Sequence, residues 1–270
     1  MFQFYMLRVR RRLSPRYKYL TTLMRLVGKR TEELCVVTAA DESHFQSSLN
    51  LLRSLQFFEP KTKVIYYDLG LTSDQSHFIQ NNFPSIVLKQ FPYDDFPDFF
   101  NVKINAGEYA WKAACINLAM LDSTTGVLWL DAGNIITGDL RRIQKIIRQN
   151  GIFIMQASTT IRQFTHPKTL EYFNCTERLH LPQFSAAAIG FSSLSKEAAR
   201  VLEKWLFCSR DKAIIAPKGS SRVNHRQDQA ILTLIILENY KMNARIRKQI
   251  ASNNDLSFYN FLIHQDVEAR

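Results

Sequence analysis

The apolar run Gly126-Val-Leu-Trp-Leu130 ends abruptly at Asp131-Ala-Gly-Asn134. An aspartate at the mouth of a buried strand is well placed to hold a divalent cation that neutralises a diphosphate. The same four residues are also good turn chemistry, in which the carboxylate only caps a loop. Two other strand ends have a similar character. Thr38-Ala39-Ala40-Asp41 supplies small residues that let a flat base approach the backbone, and Asp68 closes a second apolar run. Ligands of open α/β sheets bind outside the carboxyl ends of strands, so these three ends are where chemistry is expected. Farther along, His225, Asp228 and Gln229 fall at i, i+3 and i+4, a spacing that predicts one shared helix face. The plainer reading of that set is a polar helix start capped by Asn224. Arg226 follows His225, so the spacing is not the HExxH of a zinc protease. Lys218, Arg222 and Arg226 add positive charge around the Gly219-Ser-Ser221 loop, suited to an anionic ligand or simply solvated.

Such strand ends need an alternating framework behind them. Leu34 to Thr38 predicts a first strand, and Phe45, Leu49, Leu52 and Leu55 recur on one face of a helix running from Ser43 to Phe58. Lys63 to Tyr67 predicts a second strand, Thr72 or Ser73 caps a helix reaching Asn82, and Ile86 to Leu88 predicts a third strand. Phe91 to Asn105, aromatic and acidic, is expected as a long irregular loop that covers a site or packs on itself. Helical spacing resumes from Gly107 to Leu121, ahead of the strand that delivers Asp131. A helix over Asp139–Gln149 closed by Asn150-Gly151, strands at Gly151–Met155 and Ala186–Phe191, and helices at Ser195–Phe207 and His225–Tyr240 follow, while the last thirty residues show no clear pattern. This alternation predicts an α/β fold: a mostly parallel sheet with helices on both faces, joined by right-handed crossovers in one Rossmann-like domain over residues 31–270.

Composition narrows the function classes. With 46% apolar and 22% charged residues, and only 9 glycines and 8 prolines in 270 residues, the chain is neither disordered nor linker-rich. No apolar run approaches the ~20 residues of a membrane helix, the best being Ile231 to Leu237. Net charge is +11, and nine positive residues with no acid precede Thr31. A nucleic-acid binder usually spreads such charge over a folded face, so residues 1–30 read instead as a basic arm, and nucleic acid is not the expected partner. Its interleaved aromatics suit an interfacial helix on an anionic membrane surface; a solvated or docked terminal helix is the alternative. The apolar stretch Met1 to Leu7 precedes the arginines, the wrong order for a secretory signal, so a cytoplasmic protein, peripheral at the membrane if the arm binds lipid, is expected. Cys35, Cys115, Cys175 and Cys208 are scattered and predict core thiols rather than a zinc site or disulfides. GxGxxG, GxxxxGK[ST] and GxSxG are all absent, which argues against a dinucleotide-dependent dehydrogenase, a P-loop enzyme and an α/β-hydrolase.

The segment Val127-Leu-Trp-Leu-Asp-Ala-Gly-Asn-Ile-Ile-Thr-Gly-Asp-Leu140 resembles, without a gap, the strand and metal-binding segment of GT-A nucleotide-sugar glycosyltransferases: apolar strand, Asp-X-Asp, apolar residues, Gly-Asp-Leu. The chain also resembles an uncharacterised group of nucleotide-diphospho-sugar transferase-like proteins through Tyr109-Ala-Trp-Lys112, Trp129 to Asn134, Ala216 to Arg222 and Asn224 to Gln229. This resemblance implies a GT-A-like fold that binds a nucleotide-diphosphate sugar around Thr38, Ala39, Asp68 and Asp131 and passes the sugar to a hydroxyl of a glycan or lipid-linked acceptor. It places Lys112 against the donor phosphates, Ser185 beside the donor sugar, and Asp228, Gln229 and His225 at the acceptor side, with Asp228 orienting sugar hydroxyls or acting as a base. Mn²⁺ or Mg²⁺ is implied on Asp131, with Asn134 and His264 as further ligands. The motif departs from the pattern at one place, because Gly133 stands where the second aspartate belongs. That departure and the basic arm leave open an inactive transferase scaffold acting as a membrane-surface or nucleic-acid-binding module.

Overall fold

A computed structural model describes residues 34–239 and 261–263. The basic arm and His264 therefore lie outside the described residues. Six strands form one sheet in the order β3-β2-β1-β4-β7-β6: β1 (Cys35–Ala40), β2 (Val64–Asp68), β3 (Ile86–Gln90), β4 (Gly126–Leu130), β6 (Ile152–Thr160) and β7 (Pro182–Ser192). The short β5 (Asn134–Ile136) pairs outside that sheet with β8 (Phe261–Ile263). Pairings among β1, β2, β3 and β4 are parallel, as expected, whereas β7 runs antiparallel to both β4 and β6.

Alternating side chains divide the interior into two cores. Val37, Ala39, Val127 and Trp129 point to a layer containing helices α3 (Trp111–Leu121), α7 (Lys196–Ser209) and α9 (Gln227–Asn239). Val36, Ala40, Leu128 and Leu130 point to the layer of α1 (Phe45–Phe58), α2 (Ser73–Asn82) and α4 (Arg141–Asn150). Three short helices, α5 (Ile161–Phe164), α6 (Pro167–Tyr172) and α8 (Lys212–Ile215), fill the corners. The run Ile231 to Ile236, apolar except for Thr233, has no solvent face because α9 is buried on every side at that level. Among the described residues no helix is long and apolar enough to cross a membrane.

Several expectations shift. The third helix begins at Trp111 rather than Gly107, because residues 105–109 form a left-handed turn. The stretch after Phe91 is not irregular throughout: it folds as short 3₁₀ turns whose Phe91, Phe96 and Phe100 rings stack into the core. The last described helix starts at Gln227, so Asn224 does not cap it; its side chain accepts from the Ser221 amide and donates to the Gly219 carbonyl within the preceding loop. Cys35, Cys115 and Cys208 are buried as expected, and Cys175 is half-buried.

Candidate functional site

β1 has β2 on one side and β4 on the other, so the strand order reverses between β1 and β4, and in open α/β sheets the ligand crevice lies beyond the carboxyl ends of the strands at such a point. Asp131 is the first residue past β4. Its backbone N–H donates to the Ala187 carbonyl at 2.9 Å, and Trp129, two residues back on the same strand face, donates its indole N–H to Asp131 Oδ1 at 2.6 Å. Lys112, in the first turn of α3, brings Nζ within 2.9 Å of the same Oδ1. On the other side Nζ lies 3.2 Å from Asp228 Oδ2, an ion-pair contact without the alignment of a hydrogen bond, and 3.3 Å from the Ala186 carbonyl. Asp228 stands in the first turn of α9, a helix end that favours a carboxylate, and its carbonyl accepts from the Trp205 indole at 3.1 Å.

The Ala186 and Ala187 carbonyls reach this cluster because of a bulge in β7. As β6 steps from Ile154 to Met155, the partner on β7 jumps from Ile189 to Ser185, leaving Ala186 to Ala188 without a β6 counterpart. A bulge re-aims strand groups, and the small residues Ser185-Ala-Ala-Ala188 let it form against the site. Ser185 itself is buried, its hydroxyl accepting from the Ala187 amide.

Burial is uneven across the three charged groups. Lys112 and Asp228 side chains are 5% and 9% exposed, Asp131 37%. Burial alone would push the Lys112 ammonium down, but Asp131 and Asp228 outweigh it and hold the ammonium above its ordinary value. Burial raises the Asp228 carboxyl above the usual carboxylate range, Lys112 opposing the rise and Asp131 adding to it. The arrangement is a buried, permanently charged lysine between an open carboxylate and a closed one.

Other expected positions are engaged elsewhere. Thr38 and Ala39 are interior residues of β1, which runs on to Ala40, so the accessible end of this strand starts at Asp41. Asp41 Oδ1 accepts from Ser43 and from both the backbone and the ring of His44; burial works against these bonds, yet its carboxyl falls to about 2. Asp68 accepts from the Gly70 and Leu71 amides, Ser76 and Gln90, a set that saturates it as a turn-holding carboxylate rather than leaving it open to a ligand. His225 precedes α9 instead of sharing its face with Asp228. Its Nδ1 accepts from the His166 amide and its Nε2–H donates to the Ile215 carbonyl, both in the interior. Burial takes that imidazole down to about 4. Gln229 donates to Gln183 at 2.8 Å, and Gln183 in turn ties the Phe164 carbonyl and Thr165. The structure thus brings Lys112, Asp131 and Asp228 together, and Asp68, His225 and Gln229 serve contacts of their own.

A divalent ion finds a thin set of donors. Asp131 Oδ1 is already shared by an indole and an ammonium, and Gly133 offers no side chain. The Asn134 amide donates to the Ala187 carbonyl, while its Oδ1 is sealed from the crevice and has no hydrogen-bond partner. Among the described residues no three His, Cys, Asp or Glu side chains converge on a metal position. Among the described residues a cation here would meet one open carboxylate oxygen and an ammonium next door, a set that without His264, which lies outside them, does not fit a resident divalent site.

Trp129 is a residue whose role the sequence did not flag, although its i, i+2 spacing from Asp131 on one strand face carried the signal. Tyr109 and Arg222 are a second case. The Arg222 guanidinium sits over the Tyr109 ring, 5.3 Å from its centroid, at the rim of the cluster.

A family model described as Protein of unknown function (DUF1647) matches residues 15–117. No curated protein matches. Among solved structures, core-mannan synthase A from Aspergillus fumigatus, in an Mn/GDP form, superposes with a TM-score of 0.53 at 7% identity over 78% of this chain and 70% of that one. Mouse xyloside xylosyltransferase 1 in its apo form gives 0.47 at 11% identity over 77% and 82%. The bifunctional glycosyltransferase WbbM gives 0.47 at 12% identity over 77% of this chain, which spans only 38% of WbbM. At such identities the likeness concerns the fold, and the fold is that of GT-A glycosyltransferases.

Proposed function

We propose that this chain is a glycosyltransferase moving a sugar from a nucleotide-diphosphate sugar to a hydroxyl of a glycan or lipid-linked acceptor. The observation that carries the reading is the buried Lys112 ammonium at the mouth of the β1/β4 crevice, held between a half-open and a closed carboxylate. The donor's base and ribose lie along the end of β1 beyond Thr38 and Ala39, with Asp68 fixing the neighbouring turn. Its diphosphate meets Lys112, which supplies a fixed charge where negative charge develops as the glycosidic bond breaks. Ser185 and the β7 bulge wall the sugar, and Asp228 faces the acceptor hydroxyl as the group that orients it or takes its proton. Gln229 and His225 hold the approach to α9 in place. Of the Asp131, Asn134 and His264 set implied for Mn²⁺ or Mg²⁺, Asp131 is the accessible carboxylate among the described residues.

Asp131→Ala tests the reading. Donor hydrolysis or transfer, followed as release of the nucleoside diphosphate, should fall by about 10²-fold, because Asp131 Oδ1 fixes the Lys112 ammonium where negative charge develops. Equal turnover in both proteins would remove Asp131 and the crevice beside it from the mechanism.

A further inference from the structure

We propose that the crevice binds its nucleoside diphosphate without a divalent cation, the positive charge coming from two side chains, Lys112 from within and Arg222 from the rim. This rests on the transferase reading and adds to it the identity of the counter-charge.

Three observations converge. The first is the donor set: of the positions where a metal-holding segment needs oxygen ligands, Gly133 has none, Asn134 turns its amide to the Ala187 carbonyl with its own oxygen sealed, and Asp131 spends one oxygen on Trp129 and Lys112. The second is that the ammonium is built in. Lys112 is held by Asp131, Asp228 and the Ala186 carbonyl, so its charge is oriented before a ligand arrives and loses little freedom on binding. The third is Arg222. It is exposed, yet its guanidinium is laid on the half-buried Tyr109 ring, a geometry that pre-orders a fork suited to phosphate oxygens. Tyr109 joins the two cations: its phenol, raised first by burial, is within electrostatic reach of Arg222, Asp228, Lys112 and Asp131 together.

Charge balance agrees. Asp131 and Asp228 against Lys112 alone would leave the crevice with one excess negative charge, repelling a diphosphate. Arg222 brings the sum to zero. A crevice so balanced takes up an anion through hydrogen bonds from the Arg222 guanidinium, the enclosed Lys112 ammonium adding its charge.

The experiment is calorimetric titration of the full chain with UDP, GDP, ADP and CDP, each in EDTA and again with added Mn²⁺. One of the four is expected to bind in EDTA with an affinity that Mn²⁺ changes by less than about threefold. Arg222→Ala should weaken that binding by about tenfold or more, the scale of one charge-assisted contact. Arg148→Ala removes the same charge from α4, in the layer on the opposite face of the sheet, and should leave affinity unchanged. Binding that appears only with Mn²⁺ would overturn this inference and leave the transferase reading standing. No binding of any of the four under either condition would overturn both. An Arg222→Ala protein that binds as tightly as the parent would overturn the role of the rim.

Discussion

Lys112→Met removes a buried cation while keeping most of the side-chain volume, so its effect is chiefly electrostatic. The variant strands two carboxylates, but unequally. Asp131, with over a third of its side chain exposed, is rehydrated and contributes little. Asp228, 9% exposed, has nowhere to turn. Removing one partner of a buried pair costs about 3–5 kcal/mol, a large share of the ~5–15 kcal/mol that holds a domain together. Proton uptake offers a partial escape. The Asp228 carboxyl already sits above its ordinary value, and loss of Lys112 raises it further. The folded state then binds more protons than the unfolded chain, so stability falls as pH rises from ~4 through the folded-state pKa and levels off above it. Urea unfolding at about pH 5 and about pH 7.5 should therefore show a larger deficit at the higher pH. Adding Asp228→Asn to Lys112→Met should restore most of the loss at about pH 7.5, because it removes the stranded charge without changing the shape. A Lys112→Met deficit below ~1 kcal/mol at the higher pH, or one that Asp228→Asn leaves untouched, would refute the buried pair.

Two further outcomes follow from residues around the site. His225, depressed from 6.5 to about 4, stays neutral in the folded state while the unfolded chain takes up a proton, so stability is full above pH 6.5 and declines by roughly 3 kcal/mol as pH falls to 4; His225→Asn should flatten that part of the stability–pH curve. Gly126 opens β4 at φ +137°, where an added Cβ would stand 2.2 Å from the Phe191 carbonyl oxygen. Gly126→Ala is expected to cost about 2–3 kcal/mol, read as a lower melting temperature, since neither the backbone angle nor the neighbouring strand can yield.

What the sequence disclosed follows from the length and contrast of each signal. β4 and Asp131 were legible because five consecutive buried residues end in turn formers, and α2 because Thr72 and Gln75 form a capping box. β5, three residues long, is too short to show a period. The direction of β7 and its bulge were hidden because Ser185-Ala-Ala-Ala188 has no apolar alternation to read. The lysine-centred cluster joins α3, β4 and α9, segments far apart in the chain, and nothing local in Asp228 announces its partner. His225 was misplaced for a simpler reason. Its i, i+3 spacing from Asp228 means a shared face only inside a helix, and α9 begins two residues later.

The left-handed turn before α3 has a consequence for anyone altering this protein. Asn105, Ala106, Gly107, Glu108 and Tyr109 all have φ between 48° and 62°, the mirror image of ordinary helical backbone. Each non-glycine residue there is held against a preference of ~1–2 kcal/mol. The Trp111 indole clasps the Ala106 carbonyl, and Asn105 and Gln227 both donate to Glu108, so the tension is locked from both flanks. The segment therefore behaves as a chiral spacer whose handedness sets the azimuth at which α3 departs, and so where Lys112 aims. An L-residue inserted there would rotate the whole helix, whereas a D-amino acid introduced by peptide ligation at Ala106 would be at home.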